Sequence, residues 1–280
     1  MSLLKRIKRL FTHFLCKEGE VEQICPLDDS SREFLLAQVA FYANLEESDR
    51  GLFERRVLLF LQTTEIVGHD VVVTQQDRLL VASAAIILVW KFPDWHYLNL
   101  DTVSLVSASF NEQADFGQAD SNIQGLVGTG TMRGKMILSK PALHYGFSNN
   151  RDKQNVALHE FAHLLDMADG DCDGFPERMS EYGFARPWFD LMHQEISVIN
   201  QKNSNIRAYG GTSQIEFFAV ASEYFFERPG LLCRKHPQVY AALKAFYRQD
   251  VTTISQAVQP RKKDPCPCGS GKRYKRCCLP

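Results

Sequence analysis

No apolar run in this sequence is long enough to cross a bilayer. The longest, Leu79 to Trp90, is closed by Lys91 and falls short of the roughly 20 residues a spanning helix needs; it reads as a buried core helix. No secretory leader is expected either, because residues 1–17 interrupt their apolar residues with Lys and Arg and offer no small-residue cleavage site. At helical spacing they place Leu3, Leu4, Ile7, Leu10, Phe11 and Phe14 on one side. A cytoplasmic protein with no transmembrane segment is expected, whose basic amphipathic segment 1–19 can rest on a membrane surface or a partner. Excess charge of one sign is also lacking, the formal net charge being -1 over 280 residues. The charge is uneven, however. Residues 1–17 hold five Lys or Arg and no acid, and residues 261–280 hold seven against one Asp. The two basic ends leave roughly -12 for the middle of the chain. An acidic body of this kind argues against direct nucleic-acid binding, and its basic ends suit an acidic partner or plain solvation. There is no internal repeat. A phosphate loop is excluded as well: Gly134-Lys135 has no Gly at the required upstream spacing, and Met136 stands where Ser or Thr is needed.

What is present is ordinary globular composition, 45% hydrophobic and 23% charged, enough for one large domain and a small appendage. The run Pro26 to Ser31 reads as a turn and N-cap launching a helix through Phe34 to Tyr42, with a second helix from about Asp49 to Leu61. Segments Glu65 to Val73, Asp101 to Phe110 and Gly134 to Ser139 carry strand patterns, whereas the Gly-, Thr- and Ser-rich stretch Asn122 to Arg133 reads as a loop. A short helix is expected near Pro141. Further helices are expected from a cap at Asn150 or Asp152, near Trp188 to Ile199, over Ser213 to Phe226 and over Pro237 to Arg248. The domain is therefore placed at residues 20–250, followed by a polar linker at 251–263 and a compact unit at 264–280.

The chemistry concentrates in His159-Glu160-Phe161-Ala162-His163, an HExxH motif inside a predicted helix. Four residues advance about 6 Å and return to nearly the same face, so both imidazoles can reach one metal ion. Glu160 then stands beside the metal, placed to take a proton from an activated water. A zinc site of this kind needs a third protein ligand, and Asp166, Glu216 and Glu223 are the candidates. Asp166, three residues after His163, is better suited to accept a hydrogen bond from a ligand imidazole. Glu216 and Glu223 lie seven residues apart on one helical face; Glu216 is favoured as ligand and Glu223 as its support. Asp169 to Gly174 imitates the start of a calcium loop, but Ser180 occupies the position where a Glu is required. That stretch reads as a turn behind the active-site helix.

Taken together, HEFAHLLD (His159 to Asp166), Asp169-Gly170, Asp173-Gly174-Phe175-Pro176 and EFFAVASEYFF (Glu216 to Phe226) resemble the Mlc titration factor family. The resemblance covers roughly residues 20–250 and implies an α+β zinc metallopeptidase domain of the gluzincin type. It implies Glu216 as the third zinc ligand, and Tyr209, seven residues upstream, as a donor to the developing oxyanion. Expected partners are a peptide substrate, with aminopeptidase-like preference, and a Mlc-type transcriptional repressor of sugar uptake. By the residues alone, the strand Gly134 to Ser139 can bind an extended peptide by edge pairing.

Of eight cysteines, Cys16, Cys25, Cys172 and Cys233 are scattered, while Cys266, Cys268, Cys277 and Cys278 crowd into the last fifteen residues. The spacing Cys-x-Cys, eight residues, Cys-Cys across a Gly-rich turn suits a tetrahedral structural zinc, whose binding would supply the folding energy of so small a unit. The segment resembles the SEC-C motif found at the end of the SecA translocation ATPase. That likeness implies docking to a protein or the ribosome. Two zinc ions are thus expected, one catalytic and one structural.

Overall fold

A computed structural model describes residues 26–111, 122–128, 130–149, 152–176 and 185–254, together with Arg273 and Arg276. The basic segment 1–19 and all four clustered cysteines lie outside the described residues. Mixed α and β structure, mostly helical, makes up the rest.

Helix α1 (Asp29–Gln38) begins where the Asp28 carboxylate accepts the Ser31 N–H at 2.6 Å, the N-cap the sequence signalled. A one-turn helix, Ala40–Ala43, leads to α2 (Glu47–Thr63) and β1 (Glu65–His69). Helix α3 (Gln75–Leu88) opens with a capping box between Thr74 and Asp77 and is buried from Leu79 onward. The long apolar run is therefore a core helix. Just past its C-terminus the chain is held by Arg56 of α2, whose guanidinium donates to Trp90 O at 2.7 Å and to Val89 O and Phe92 O at 3.0 Å.

Strands β2 (Leu100–Val106), β3 (Gly125–Val127) and β4 (Gly134–Ser139) complete a four-stranded sheet of order β1-β2-β4-β3. The first three in that order run parallel and β3 is antiparallel to β4. Two expectations are corrected here. The Gly-rich stretch contains a strand, because pairing of Gly125–Val127 with Leu138–Met136 overrides the poor intrinsic preference of three residues. And β4 is no free edge: it is hydrogen-bonded on both sides, so the edge at that end of the sheet belongs to β3.

Helix α4 (Lys140–Ser148) follows, then α5 (Val156–Asp166), which carries the HEFAH residues. Its cap is Asn155, whose side chain accepts the Leu158 N–H at 3.2 Å, rather than Asn150 or Asp152. Lys153 adopts a left-handed φ of 67°, which turns the chain and delays the helix. Helices α6 (Ala185–Asn200), α7 (Gln214–Glu227) and α8 (Pro237–Tyr247) pack behind it, with a short helix Pro229–Lys235 between the last two. Val251–Ile254, read from sequence as the start of a linker, forms one more helical turn with Val251 buried.

The core sits between the sheet and these helices and fixes α5. Phe161 has no exposure and meets Phe60 and Tyr97 edge-on, with ring centroids 5.7 and 5.1 Å apart. The Tyr97 hydroxyl donates to Ala85 O at 2.8 Å, so the aromatic cluster ties α2, α3 and α5 together. Phe161→Ala is expected to cost about 3–5 kcal/mol. Denaturant unfolding should show a lowered midpoint with an unchanged slope; a loss under about 1 kcal/mol would refute this role for the ring.

Candidate metal centre

One turn of α5 brings His159 and His163 side by side, each under 10% exposed, with their Nε2 atoms 3.0 Å apart. Across from them stands the first turn of α7. Ser213 caps that helix by accepting the Glu216 N–H at 3.1 Å, and an acidic residue is favoured there by the helix dipole. Glu216 Oε2 lies 3.0 Å from His159 Nε2 and 3.6 Å from His163 Nε2. The ligand atoms of His159, His163 and Glu216 all fall within 4.8 Å of one another, the one such trio among the described residues. Ligands about 2.0–2.1 Å from a tetrahedral zinc stand about 3.3 Å apart, so separations of 3.0, 3.0 and 3.6 Å fit the ion.

Glu223, two turns further along α7, faces the other ring nitrogen. Its Oε1 lies 2.7 Å from His159 Nδ1, its Oε2 accepts the Asn155 N–H at 2.6 Å, and Arg207 also donates to it. With Glu223 accepting from Nδ1–H, the tautomer leaves the Nε2 lone pair for a metal. Burial works to lower the His159 pKa, but the Glu223 and Glu216 carboxylates outweigh it and raise it to about 10. Burial would also raise Glu216, yet hydrogen bonds from His159 and His163 hold its carboxyl well below the usual range. Glu160, on the same helix turn, is 5% exposed, and burial pushes its carboxyl upward.

Tyr209 lies on the 3-10 turn Ala208–Gly211, half exposed, its ring 5.8 Å from that of His159. Burial and then the Glu216 carboxylate raise its phenol to about 12, so it keeps its proton and remains a donor. Asp166 behaves otherwise than the sequence suggested. Its Oδ2 accepts the Gly174 N–H at 2.8 Å and the Cys172 thiol also hydrogen-bonds to the carboxylate, while His163 Nδ1 is buried without a hydrogen-bond partner. The Asp169 to Gly174 stretch folds as turns, Asp169 accepting from Asp171 N–H and Asp173 from Phe175 N–H.

Two contributors escaped the sequence reading. Asn155 and Arg207 satisfy Glu223, and the signal for them was indirect: a carboxylate inside the apolar run EFFAVASEYFF must be buried, so it needs donors from elsewhere.

The family model described as glucose-regulated metallo-peptidase M90 matches residues 16–248. The chain belongs to that family. A SEC-C motif matches residues 263–280. Among relatives of this M90 member, the uncharacterized protein slr2042 of Synechocystis is 31% identical over 233 residues, covering 79% of this chain and 84% of that protein. Mlc titration factor A of Serratia proteamaculans is 30% identical over 154 residues (52% and 58%), and that of Edwardsiella ictaluri 36% over 104 residues (34% and 39%). The match thus spans less than two thirds of these titration factors. No helix among the described residues is long and apolar enough to cross a membrane.

Two outcomes are expected from this M90 site. With its pKa near 10, His159 carries a proton at pH 8 in the metal-free protein, and zinc must displace it. Calorimetry in buffers of different ionisation enthalpy, on the chain lacking the clustered cysteines of residues 261–280, should therefore find at least about one proton released per ion. The release should shrink as the pH rises through about 10, where His159 is already neutral; binding at pH 8 with no proton released would refute the assignment. Glu223→Gln weakens the acceptor behind His159 and should lower zinc affinity by about 10–100-fold, measured by competition with a chelator.

Proposed function

We propose that this M90 protein is a gluzincin-type zinc peptidase with aminopeptidase-like preference, acting in the cytoplasm. The observation that carries this reading is the convergence of His159 Nε2, His163 Nε2 and Glu216 Oε2 at ligand spacing, with Glu160 on the same turn. Zinc bound there supplies Lewis acidity and a water of lowered pKa. Glu160 accepts the proton of the attacking water and delivers it to the leaving amine; its burial raises its basicity for the first step and suits it to give the proton back in the second. Tyr209, a protonated phenol at the mouth of the site, donates to the oxyanion as it develops. Glu223 holds the His159 ring in place through Nδ1. An extended peptide can pair with the β3 edge, which lies beside α5, and so bring its scissile bond toward Glu160.

A second role is suggested by the relatives named Mlc titration factor A: binding and sequestering a Mlc-type repressor of sugar uptake. The SEC-C match supports a structural zinc held by Cys266, Cys268, Cys277 and Cys278, and docking of that unit to a protein or ribosomal partner.

Metal analysis and hydrolysis of short peptide amides test both parts. About two zinc ions per chain are expected, falling to one in His163→Ala and to one on deletion of residues 261–280. Glu160→Gln should keep its zinc and any partner while losing hydrolysis by at least about a hundredfold. A His163→Ala variant with its full zinc complement, or a Glu160→Gln variant as active as the parent, would overturn the catalytic reading.

A further inference from the structure

Strand β3 is held from two sides. On one, Gly125, Leu126 and Val127 pair with Leu138, Ile137 and Met136 of β4, and the Ser139 N–H donates to Gln124 O at 2.7 Å. On the other, its backbone lies directly against α5. A Cβ built on Gly125 would fall 2.5 Å from Glu160 Oε1, 2.7 Å from Glu160 Cγ and 2.7 Å from Val156 Cγ2. No real Cβ tolerates such distances. The strand cannot retreat without giving up its pairs with β4, and Glu160, 5% exposed, has packed structure around it. A side chain at position 125 would therefore swing Glu160 away, because the obstruction reaches its Cγ as well as its carboxylate. Gly125 has no positive φ, so the strain of an alanine there comes from this contact and not from its own backbone conformation.

We propose that Gly125 is a positioning residue for Glu160, its missing side chain forming the slot that aims the carboxylate at the metal centre. The inference rests on the peptidase reading above and extends it to the sheet edge. A displacement near 1 Å of a reacting group can cost about a hundredfold in rate. Gly125→Ala should thus lower kcat by about that factor, with KM changed by less than about threefold, since the outer edge of β3 is untouched. Zinc affinity should equal that of the parent, because the three atoms nearest the added methyl belong to Glu160 and Val156 and not to His159, His163 or Glu216.

The experiment measures kcat, KM, zinc affinity by chelator competition and thermal midpoint for Gly125→Ala, Glu160→Gln and the double variant. Support requires full zinc affinity, the kcat loss in Gly125→Ala, and no further loss of residual activity when it is added to Glu160→Gln. Should Gly125→Ala fold poorly, Val156→Ala in the same chain relieves the second obstruction and leaves the one at Glu160, so the kcat loss should persist. If Glu160→Gln is inactive but Gly125→Ala retains the parent kcat, the inference falls and the peptidase reading stands. Weaker zinc binding in Gly125→Ala, or additive loss in the double variant, would assign Gly125 a general structural role and overturn the inference. A fully active Glu160→Gln removes the peptidase reading and this inference with it.

Discussion

The constraint on which the rest depends is the burial of Glu223. At 1% exposure, an ionised carboxylate inside a helix of Phe, Ala, Val and Tyr would cost several kcal/mol if left unpaired. It is met from three directions: by His159 Nδ1, the Asn155 N–H and the Arg207 guanidinium. Because α7 turns about 100° per residue, slippage by one position would lose all three contacts and carry Glu216 away from the histidines. The charge that is costly to bury therefore fixes the register of α7 against α5. The aromatic packing on the other face of α7, where Phe217 and Phe218 surround Trp188, supplies area without specifying which residue faces the metal centre.

Much of this was legible because it follows from side-chain spacing. A spacing of four between two histidines, a spacing of seven between two glutamates and an apolar run ending at a lysine each have one helical interpretation. Thr74 and Asp77 form a capping box as local chemistry requires. What was not legible depends on partners distant in sequence. Strand β3 exists because β4 pairs with it, and no window of Gly, Leu and Val discloses that. Position β4 in the sheet, inside rather than at the edge, is set by topology that strand propensity does not encode. Around the site, Asn155 acts in part through its main-chain N–H and Gly125 through having no side chain at all. Neither leaves a pattern of chemical groups to recognise.

The same reasoning explains why a mixed sheet suits the site. Strands β2 and β4 lie inside the sheet, each paired on both sides, while the antiparallel β3 ends it against α5. An edge has main-chain donors and acceptors to offer, and here it runs beside the helix that carries Glu160. Pairing with β4 on one side of β3 and no strand pairing on the other among the described residues are complementary, since an added strand is positioned only as well as the strand it joins.

Ligand geometry is finally set by clamps at both ends of the two helices. At the N-terminal end of α5, Asn155 caps its own helix and donates through Nδ2 to Glu227 and through its N–H to Glu223, both on α7. At the other end, Asp166 takes the Gly174 N–H, Trp188 Nε1 donates to Gly174 O at 3.0 Å, and the Gly174 Cα lies so close to Gln214 that a Cβ would sit 2.4 Å from its carbonyl oxygen. Gly174 also has φ of +79°, so glycine is required there on two counts. Gln214 is the first residue of α7, two before Glu216. The turn that leaves the histidine helix thus braces the start of the glutamate helix, and the 3.0 Å approach of Glu216 to His159 is imposed by main-chain contacts on either side of it. Ligands braced in this way by their own helices have little freedom left to lose, which lowers the ordering cost of binding an ion.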